Sequence, residues 1–345
     1  MKMLFSARYK RKSLSLHTTN DYRYRMLIGR KAEPFRLSYP STLTKITAVL
    51  LLRLHQYAVR STGVLSPRYC HKDGVQRRYL YVSMDIDRIR RGINHYHTKL
   101  AALFYERKYA GHGTRVKYLF FPKKGSDALI VSFPGCSPHT AKYNYMRTLL
   151  PFRCNKLFLL DDFGDNHQGC YLVEEHVEQC TKELIEQVIQ QCAVRNLILV
   201  GSSKGGYSAL NFSLLIPGAT VVIGAPQYFL ATYLDTEDTQ TNLRFLIGND
   251  MTDKAKQQLD NRLRERILTS SIRPQCVYLH YSKAEHTYEE HVKALLADLH
   301  TVGISVVEDV HAYLHHGDLK DYYPPFLVTV CFKLFGKWLA MNPSY

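Results

Sequence analysis

The pattern of apolar and polar positions changes near residue 117. Before that point, segments such as Met84–Tyr109 carry frequent Arg and Tyr without the strict alternation of a half-buried strand, a pattern typical of amphipathic helices. After it, short β-branched and aromatic runs are separated by longer stretches of helical character. The pattern therefore predicts a mainly helical N-terminal region, 1–115, followed by an α/β domain, 116–345.

The second part contains several apolar runs that are short enough to be strands. They are Lys117–Phe121, Asp127–Phe133, Lys156–Leu160, Leu197–Val200, Ala219–Ile223, Cys276–Tyr281 and Ile304–Glu308. Because these strands alternate with helices, we expect a mostly parallel sheet with helices on both faces. Residues 235–275 interrupt the alternation with a polar segment that contains a charged helix at Lys254–Ile267, and they predict an insertion of the kind that forms a lid or cap.

One strand runs directly into the sequence Gly201-Ser202-Ser203-Lys204-Gly205, and a helix of small residues follows. This is the G-x-S-x-G arrangement of a nucleophile elbow, with a strand before it and a helix after it as that motif requires. Side chains two positions before or after the nucleophile would collide with neighbouring backbone, which explains the outer glycines. The motif predicts Ser203 as a nucleophile above a helix N-terminus. The alternative is a Gly-rich turn that only begins a helix or binds a phosphate.

In chains with such an elbow, an acid and a histidine follow the serine in that order, each after a late strand. Glu285 follows the run Cys276–Tyr281 and is the predicted acid that orients the histidine. His316 follows the last run and is the predicted base, and His315, one residue away, is the alternative. Glu285 also has an alternative role, as a carboxylate that complements the dipole of the helix after it.

An acyl-transfer site also needs two hydrogen-bond donors for an oxyanion. The backbone N–H of Lys204, directly after the nucleophile, is one candidate. The loop after the run Asp127–Phe133 supplies the other, and there we expect the N–H of Gly135 or Cys136. A plain Pro134-Gly135 turn would give the same sequence pattern. We expect no tightly bound cofactor and no metal ion in this arrangement.

Composition adds an anionic partner to this picture. The chain of 345 residues has a formal net charge of +16, and the excess is confined to one end. Residues 1–124 contain 27 Lys and Arg against 6 Asp and Glu, whereas residues 125–345 contain 19 against 24. We call residues 1–124 the basic front. Such a segment is typical of proteins that dock on nucleic acid, an anionic membrane surface or an anionic polymer. Because no helix-turn-helix, zinc-finger or RNP motif accompanies the charge, we do not expect specific nucleic-acid binding.

Two features bear on location. The longest apolar run, Leu43–Leu54, is interrupted by Lys45 and Arg53 and is too short to span a bilayer, so we expect a core helix or, alternatively, peripheral contact with an anionic leaflet. The eight cysteines are scattered singly without a CxxC pair, which favours a reducing compartment over a disulfide framework. Together these features predict a protein that is cytoplasmic or peripheral at the inner membrane.

Several motifs of the chain resemble those of bacterial capsular polysaccharide biosynthesis proteins of the XcbB/CpsF type, over about residues 117–330. The matching segments are 131–135, 143–145 with Arg147, 160–164, 201–206, 224–228, 280–282 and 316–319. More distantly, the chain is similar to serine-dependent acetyltransferases of accessory Sec systems and of capsule loci. The resemblance implies an α/β-hydrolase-like fold, a role in making or modifying a capsule polymer, and a triad of Ser203, His316 and an acid.

These observations leave three functions open. The first is an O-acyltransferase, in which Ser203 takes an acetyl group from a donor such as acetyl-CoA and a hydroxyl of a capsular or surface polysaccharide receives it. The second is an esterase or deacetylase with the same elbow and water as the acceptor. The third is a non-catalytic protein of a capsule assembly complex that docks through its basic front. The intact glycine frame of the elbow favours an enzyme.

Overall fold

The computed structural model describes residues 65–72, 75–82, 101–136, 140–164 and 167–341. The chain divides into two units, Met1–His97 and Thr98–Tyr345. The predicted functional residues all belong to the second unit. No described helix combines the length and the apolar content that crossing a membrane requires.

The described part of the first unit is a β-hairpin. Strand β1 (Leu65–Lys72) pairs antiparallel with β2 (Val75–Val82). The two residues between them are Asp73-Gly74, a dipeptide that favours a two-residue hairpin turn. These two strands differ from the helical character predicted for 1–115, and their Tyr and Val residues favour strands. Residues 1–64, 73–74 and 83–100, and with them Leu43–Leu54, lie outside the described residues.

An eight-stranded sheet forms the centre of the second unit, in the order β10-β9-β8-β7-β5-β6-β4-β3. Strands β5 to β10 run parallel, and β4 and β3 continue the sheet antiparallel. The strands are β3 (Glu106–Gly111), β4 (Thr114–Phe121), β5 (Ala128–Ser132), β6 (Asn155–Leu160), β7 (Asn196–Ser202), β8 (Ala219–Gly224), β9 (Cys276–Ser282) and β10 (Val306–His311).

Helices cover both faces of this sheet, which confirms the predicted fold class. They are α1 (Met146–Leu149), α2 (Glu175–Gln191), α3 (Lys204–Ser213), α4 (Leu230–Leu234), α5 (Gln240–Ile247), α6 (Asp253–Thr269), α7 (Lys293–Thr301) and α8 (Leu319–Met341). In β7, Leu197 and Leu199 pack in the core that includes α2, α6 and α7, whereas Ile198 and Val200 pack in the core that includes α1 and α8. A strand that is buried on both faces consists of consecutive apolar residues, as the run Leu197–Val200 in β7 does.

Each of the seven predicted runs contributes a strand, and the largest differences lie at the ends of the sheet. The last strand begins later and runs farther than predicted, to His311. The predicted helical segment Met84–Tyr109 is wrong at its end, because β3 begins at Glu106 and pairs with β4. As an edge strand, β3 carries charged and tyrosine residues rather than an apolar run, so it lacks the signal that the inner strands give. The predicted boundary at 115/116 falls inside β4.

The segment 235–275, predicted to be an insertion, lies between β8 and β9 and contains α5 and α6, and α4 directly precedes it. Its apolar residues Leu259, Leu263 and Ile267 pack into the core, and Leu263 is fully buried. Arg266 and Arg262 form ion pairs with Glu178 of α2 at 2.8 and 2.9 Å. The insertion is therefore packed against the sheet and its helices through apolar and charged contacts.

Candidate active site

Ser203 lies at the sharp turn between β7 and α3. Its backbone has φ 53° and ψ −121°, a conformation that costs energy for a residue with a side chain. A Cβ atom on Gly201 would lie 2.2 Å from the carbonyl oxygen of Gly205, and one on Gly205 would lie 2.6 Å from that of Phe133. Because backbone atoms occupy both places, only glycine fits at the positions two before and two after the serine.

The structure brings Ser203, His316 and Glu285 into one chain of hydrogen-bond contacts. Ser203 Oγ lies 2.9 Å from His316 Nε2, and His316 Nδ1 lies 2.6 Å from Glu285 Oε1. Thr287 Oγ1 donates to the same carboxylate oxygen at 2.8 Å. Ser203 and His316 are half-buried, whereas Glu285 is buried. The arrangement can take a proton from the serine and stabilise the resulting imidazolium.

The carboxyl group of Glu285 is held in its charged form by this contact. Burial by itself raises the pKa of Glu285, but the hydrogen bond and charge of His316, together with the hydroxyl of Thr287, outweigh burial and leave the pKa below its usual value. The side chain therefore contacts the histidine as well as lying near the start of the following helical segment, the two roles considered from sequence.

Of the two adjacent histidines, it is His316 that reaches the serine. His315 is exposed, and its backbone N–H donates to Asp318 Oδ2 at 3.3 Å, which closes the short 3₁₀ turn that begins at His316. In addition, Ser282 at the end of β9 donates from Oγ to the carbonyl of Tyr313 at 2.6 Å. That hydrogen bond ties the loop of the histidine to the strand that precedes Glu285.

The candidate oxyanion donors surround the same turn. Lys204 is the first residue of α3, so its N–H is among those that have no partner within the helix. The loop after β5 lies against the elbow: a Cβ on Gly135 would be 3.7 Å from the carbonyl oxygen of Ser202, and Cys136 follows at the surface. The assignment of Lys204 with Gly135 or Cys136 as oxyanion donors stays a prediction.

Beneath the elbow lies a buried ion pair that sequence reasoning missed. The side chain of Lys204 points inward, and its Nζ contacts Asp161 Oδ2 and the carbonyl of Gln168, each at 2.8 Å. Both charged side chains are almost fully buried, with relative exposures of 2% and 1%. Asp161 also accepts from the N–H of Cys170. A Cβ on Gly169, which has φ +94°, would lie 2.2 Å from Lys204 Nζ. The signal in the sequence was the acidic pair directly after β6.

Gln227, just after β8, is a further residue at the nucleophile that sequence reasoning did not assign a role. Its Nε2 donates to Ser203 Oγ at 2.6 Å, and the residue is fully buried. Because the serine oxygen accepts from this amide, its own proton is left to point toward His316. The only signal in the sequence was its position. Gln227 follows the parallel strand β8, and the other site residues also follow the carboxyl ends of strands in this sheet.

Comparisons with known proteins agree with the fold. No protein-family model matches the sequence, and no curated protein matches it. Among solved structures, the chain is similar to the capsule O-acetyltransferase of Neisseria meningitidis serogroup A, with 22% identity and a TM-score of 0.56 over 65% of this chain and 93% of that chain. A histidine-to-alanine mutant of that protein, in complex with CoA, gives the same identity and TM-score and covers 94% of that chain.

Two further solved structures share the architecture. One is the glycosylation-associated protein complex Gap123 of Streptococcus agalactiae, with 16% identity and a TM-score of 0.56 over 67% of this chain and 46% of that chain. The other is an acylaminoacyl peptidase of Pyrococcus horikoshii, with 13% identity and a TM-score of 0.50 over 78% of this chain and 45% of that chain. With the sheet order and the strand–elbow–helix arrangement, they identify the second unit as an α/β-hydrolase fold.

Proposed function

We propose that the protein is a serine-dependent O-acetyltransferase that modifies a capsular or other surface polysaccharide through an acyl-enzyme. The observation that carries the proposal is the contact chain from Ser203 Oγ through His316 to Glu285, with distances of 2.9 and 2.6 Å. The similarity of the fold to a capsule O-acetyltransferase, one structure of which contains CoA, supports acetyl-CoA as the donor and a glycan as the acceptor.

The contacts support the following proton movements for this reaction. Ser203 Oγ attacks the thioester carbonyl while its proton passes to His316 Nε2, and Glu285 stabilises the imidazolium through Nδ1. The N–H of Lys204 and that of Gly135 or Cys136, the predicted donors, stabilise the oxyanion. The coenzyme A thiolate leaves with the proton from His316. In the second half, His316 takes the proton of a sugar hydroxyl, whose oxygen attacks the acetyl-serine. The bond between the acetyl group and Ser203 Oγ then breaks, and Oγ receives the proton back from His316.

The charge distribution supports an anionic acceptor. The excess of Lys and Arg lies within residues 1–124, ahead of the elbow, whereas residues 125–345 are slightly acidic. Charge of this kind raises the association rate with anionic polymers or with a membrane surface, and it acts on docking rather than on the chemical step. We therefore assign the basic front to docking.

The test is intact-mass spectrometry of the full chain after incubation with acetyl-CoA. We expect the mass of one acetyl group on the wild type, located at Ser203, and none on Ser203→Ala. Ser202→Ala is the matched control, and we expect it to be acetylated because Ser202 Oγ contacts Tyr145 OH at 2.5 Å.

Addition of an O-deacetylated capsular glycan to the acetylated enzyme then separates the two enzymatic functions. Loss of the acetyl group that depends on the glycan supports transfer, whereas loss at the same rate in buffer alone supports an esterase. Acetylation of Ser203→Ala to the wild-type extent, or no acetylation and no ester hydrolysis by the wild type, would contradict the proposal.

A further inference from the structure

A second cluster of ionisable side chains lies on the two strands that lead to Glu285 and His316. His280 of β9 and Asp309 of β10 are partners in the parallel register, and His311 lies two residues beyond Asp309 on the same face. His280 Nδ1 lies 2.7 Å and His311 Nε2 lies 3.2 Å from the same oxygen, Asp309 Oδ2. The register of two paired strands therefore holds two imidazoles and one carboxylate together.

We propose that His280, Asp309 and His311 form a binding site for a divalent transition-metal ion such as Zn²⁺, separate from the Ser203 site. One ligand atom from each residue lies within 4.8 Å of the other two. Tetrahedral Zn²⁺ with bonds of about 2.0–2.2 Å separates its ligand atoms by about 3.3 Å. The pair at 3.2 Å already meets that spacing.

The closer pair needs only a small adjustment to hold an ion. His280 Nδ1 and Asp309 Oδ2 are 2.7 Å apart because the imidazole N–H donates a hydrogen bond to the carboxylate. An ion between them takes the place of that proton, which moves to Nε2 so that the imidazole ligand stays neutral. The two atoms then separate by roughly 0.6 Å to reach the spacing of metal ligands. Small side-chain rotations supply such a shift without a change of strand register.

The surroundings of the cluster suit a bound ion. His280 is fully buried, and its ring packs against Tyr313 and Phe326 with centroid distances of 5.8 and 5.5 Å. The side chains of Asp309 and His311 are 35% and 37% exposed, so an ion can enter from solvent and keep a water ligand. Two imidazoles and one carboxylate suit Zn²⁺, Ni²⁺ or Cu²⁺ better than Mg²⁺ or Ca²⁺, which prefer oxygen ligands.

An ion at this position would cross-link β9 to β10, the edge strand of the sheet. Glu285 follows the first of these strands and His316 follows the second. The ion would thus fix the separation of the two loops, next to the hydrogen bond between Ser282 and Tyr313. Metal binding itself does not depend on the proposed function, and only this consequence rests on it.

The test uses the full chain without an affinity tag, stripped with EDTA and dialysed. Titration with ZnCl₂ by isothermal calorimetry is expected to show one more bound ion in the wild type than in His311→Ala or Asp309→Asn. The wild type should also gain thermal stability with ZnCl₂ but not with MgCl₂, and both variants should lose that gain. Bound Co²⁺ should give the visible absorption of a tetrahedral site in the wild type alone.

Two further histidine variants act as controls. His300→Ala removes an exposed histidine at the end of α7, and His316→Gln removes the histidine at Ser203, and both should bind as many ions as the wild type. Equal stoichiometry and affinity in the wild type, His311→Ala and Asp309→Asn would overturn the proposal, as would a loss confined to His316→Gln. Acetylation of Ser203 is measured separately, so failure of the metal site leaves the proposed function standing, and the reverse also holds.

Discussion

The two sides of the candidate active site are held in place by different kinds of contact. On the nucleophile side, backbone geometry fixes Ser203, because glycines lie two positions before and after it. Tyr323 of α8 supports the turn: its hydroxyl accepts a hydrogen bond from the N–H of Gly201 at 3.2 Å and donates one to the carbonyl of Val222. On the acid–base side, side-chain hydrogen bonds fix Glu285 and the loop of the histidine. Substitutions beneath the elbow should therefore cost mainly stability, whereas substitutions on the other side should cost mainly activity.

The largest expected effect is on the acid–base side, from Glu285→Gln. The amide keeps the size of the carboxylate but cannot stabilise the imidazolium, so we expect the rate of acetyl transfer to fall by roughly 10⁴-fold. The melting temperature near neutral pH should fall only modestly, because the amide still fits the place of the carboxylate and only the stability contributed by the charge is lost. Glu289→Gln, an exposed position on the following helical segment, is the matched control and should keep both values.

The same variant tests the sign of the pKa shift. Because the pKa of Glu285 is lowered in the folded state, its charge contributes stability that is present above the ordinary Glu pKa and is lost as pH falls through the folded value. Unfolding followed by circular dichroism below about pH 4.3 should therefore show a smaller acid-induced loss in Glu285→Gln than in the wild type. Identical acid profiles, or a rate within tenfold of wild type, would refute the role assigned to Glu285.

The opposite behaviour is expected beneath the elbow, from Lys204→Met. This change leaves the buried carboxylate of Asp161 without its cation, so the free energy of unfolding in urea should fall by about 3–5 kcal/mol. The double variant Lys204→Met with Asp161→Leu should recover most of that loss, because no unpaired charge remains. Lys182→Met breaks a partly exposed surface pair with Glu186 and should cost about 0–1 kcal/mol. Equal losses of unfolding free energy in Lys204→Met and Lys182→Met would contradict the structural role assigned to the buried pair beneath the elbow.

How far the sequence predicted each side follows from the range of the interactions. The inner strands, the elbow and the chain order of serine, acid and histidine depend on neighbours in sequence, and they could be read directly. The partner of Lys204 could not, because Asp161 reaches it only after β6 and β7 are placed in one sheet with β5 between them. A lysine directly after a nucleophile reads as a surface residue until that packing is known.

The cluster on β9 and β10 shows the same limit in another form. His280 and Asp309 are 29 residues apart, and what joins them is the register of two parallel strands. The prediction placed the last strand at Ile304–Glu308, so Asp309 and His311 fell in the loop after it. Strand ends are the least certain part of a sequence-based prediction. Because the predicted strand ended a few residues too early, the sequence did not show that Asp309 and His311 lie on one face of β10, beside His280 of β9.

The smallest expected effect belongs to Gln227, which is on the nucleophile side yet acts through a side chain. Gln227→Met keeps the approximate volume and removes the donor to Ser203 Oγ. A neutral hydrogen bond is worth about 0.5–1.5 kcal/mol, so kcat should fall by roughly two- to tenfold. KM for acetyl-CoA should stay the same, because the amide positions the hydroxyl of the serine.

Gln179→Met, on the exposed face of α2, is the matched control and should leave kcat and KM unchanged. A loss in kcat together with a normal melting temperature would show that Gln227 orients the nucleophile without supporting the elbow. Gln227 would then respond to substitution as Glu285 and His316 do, although it lies on the nucleophile side of the site. A fall in stability of the size expected for Lys204→Met would instead assign Gln227 to the structural support of the elbow. In that case, of the two side chains that contact Ser203 Oγ, Gln227 would stabilise the fold and His316 would serve the reaction.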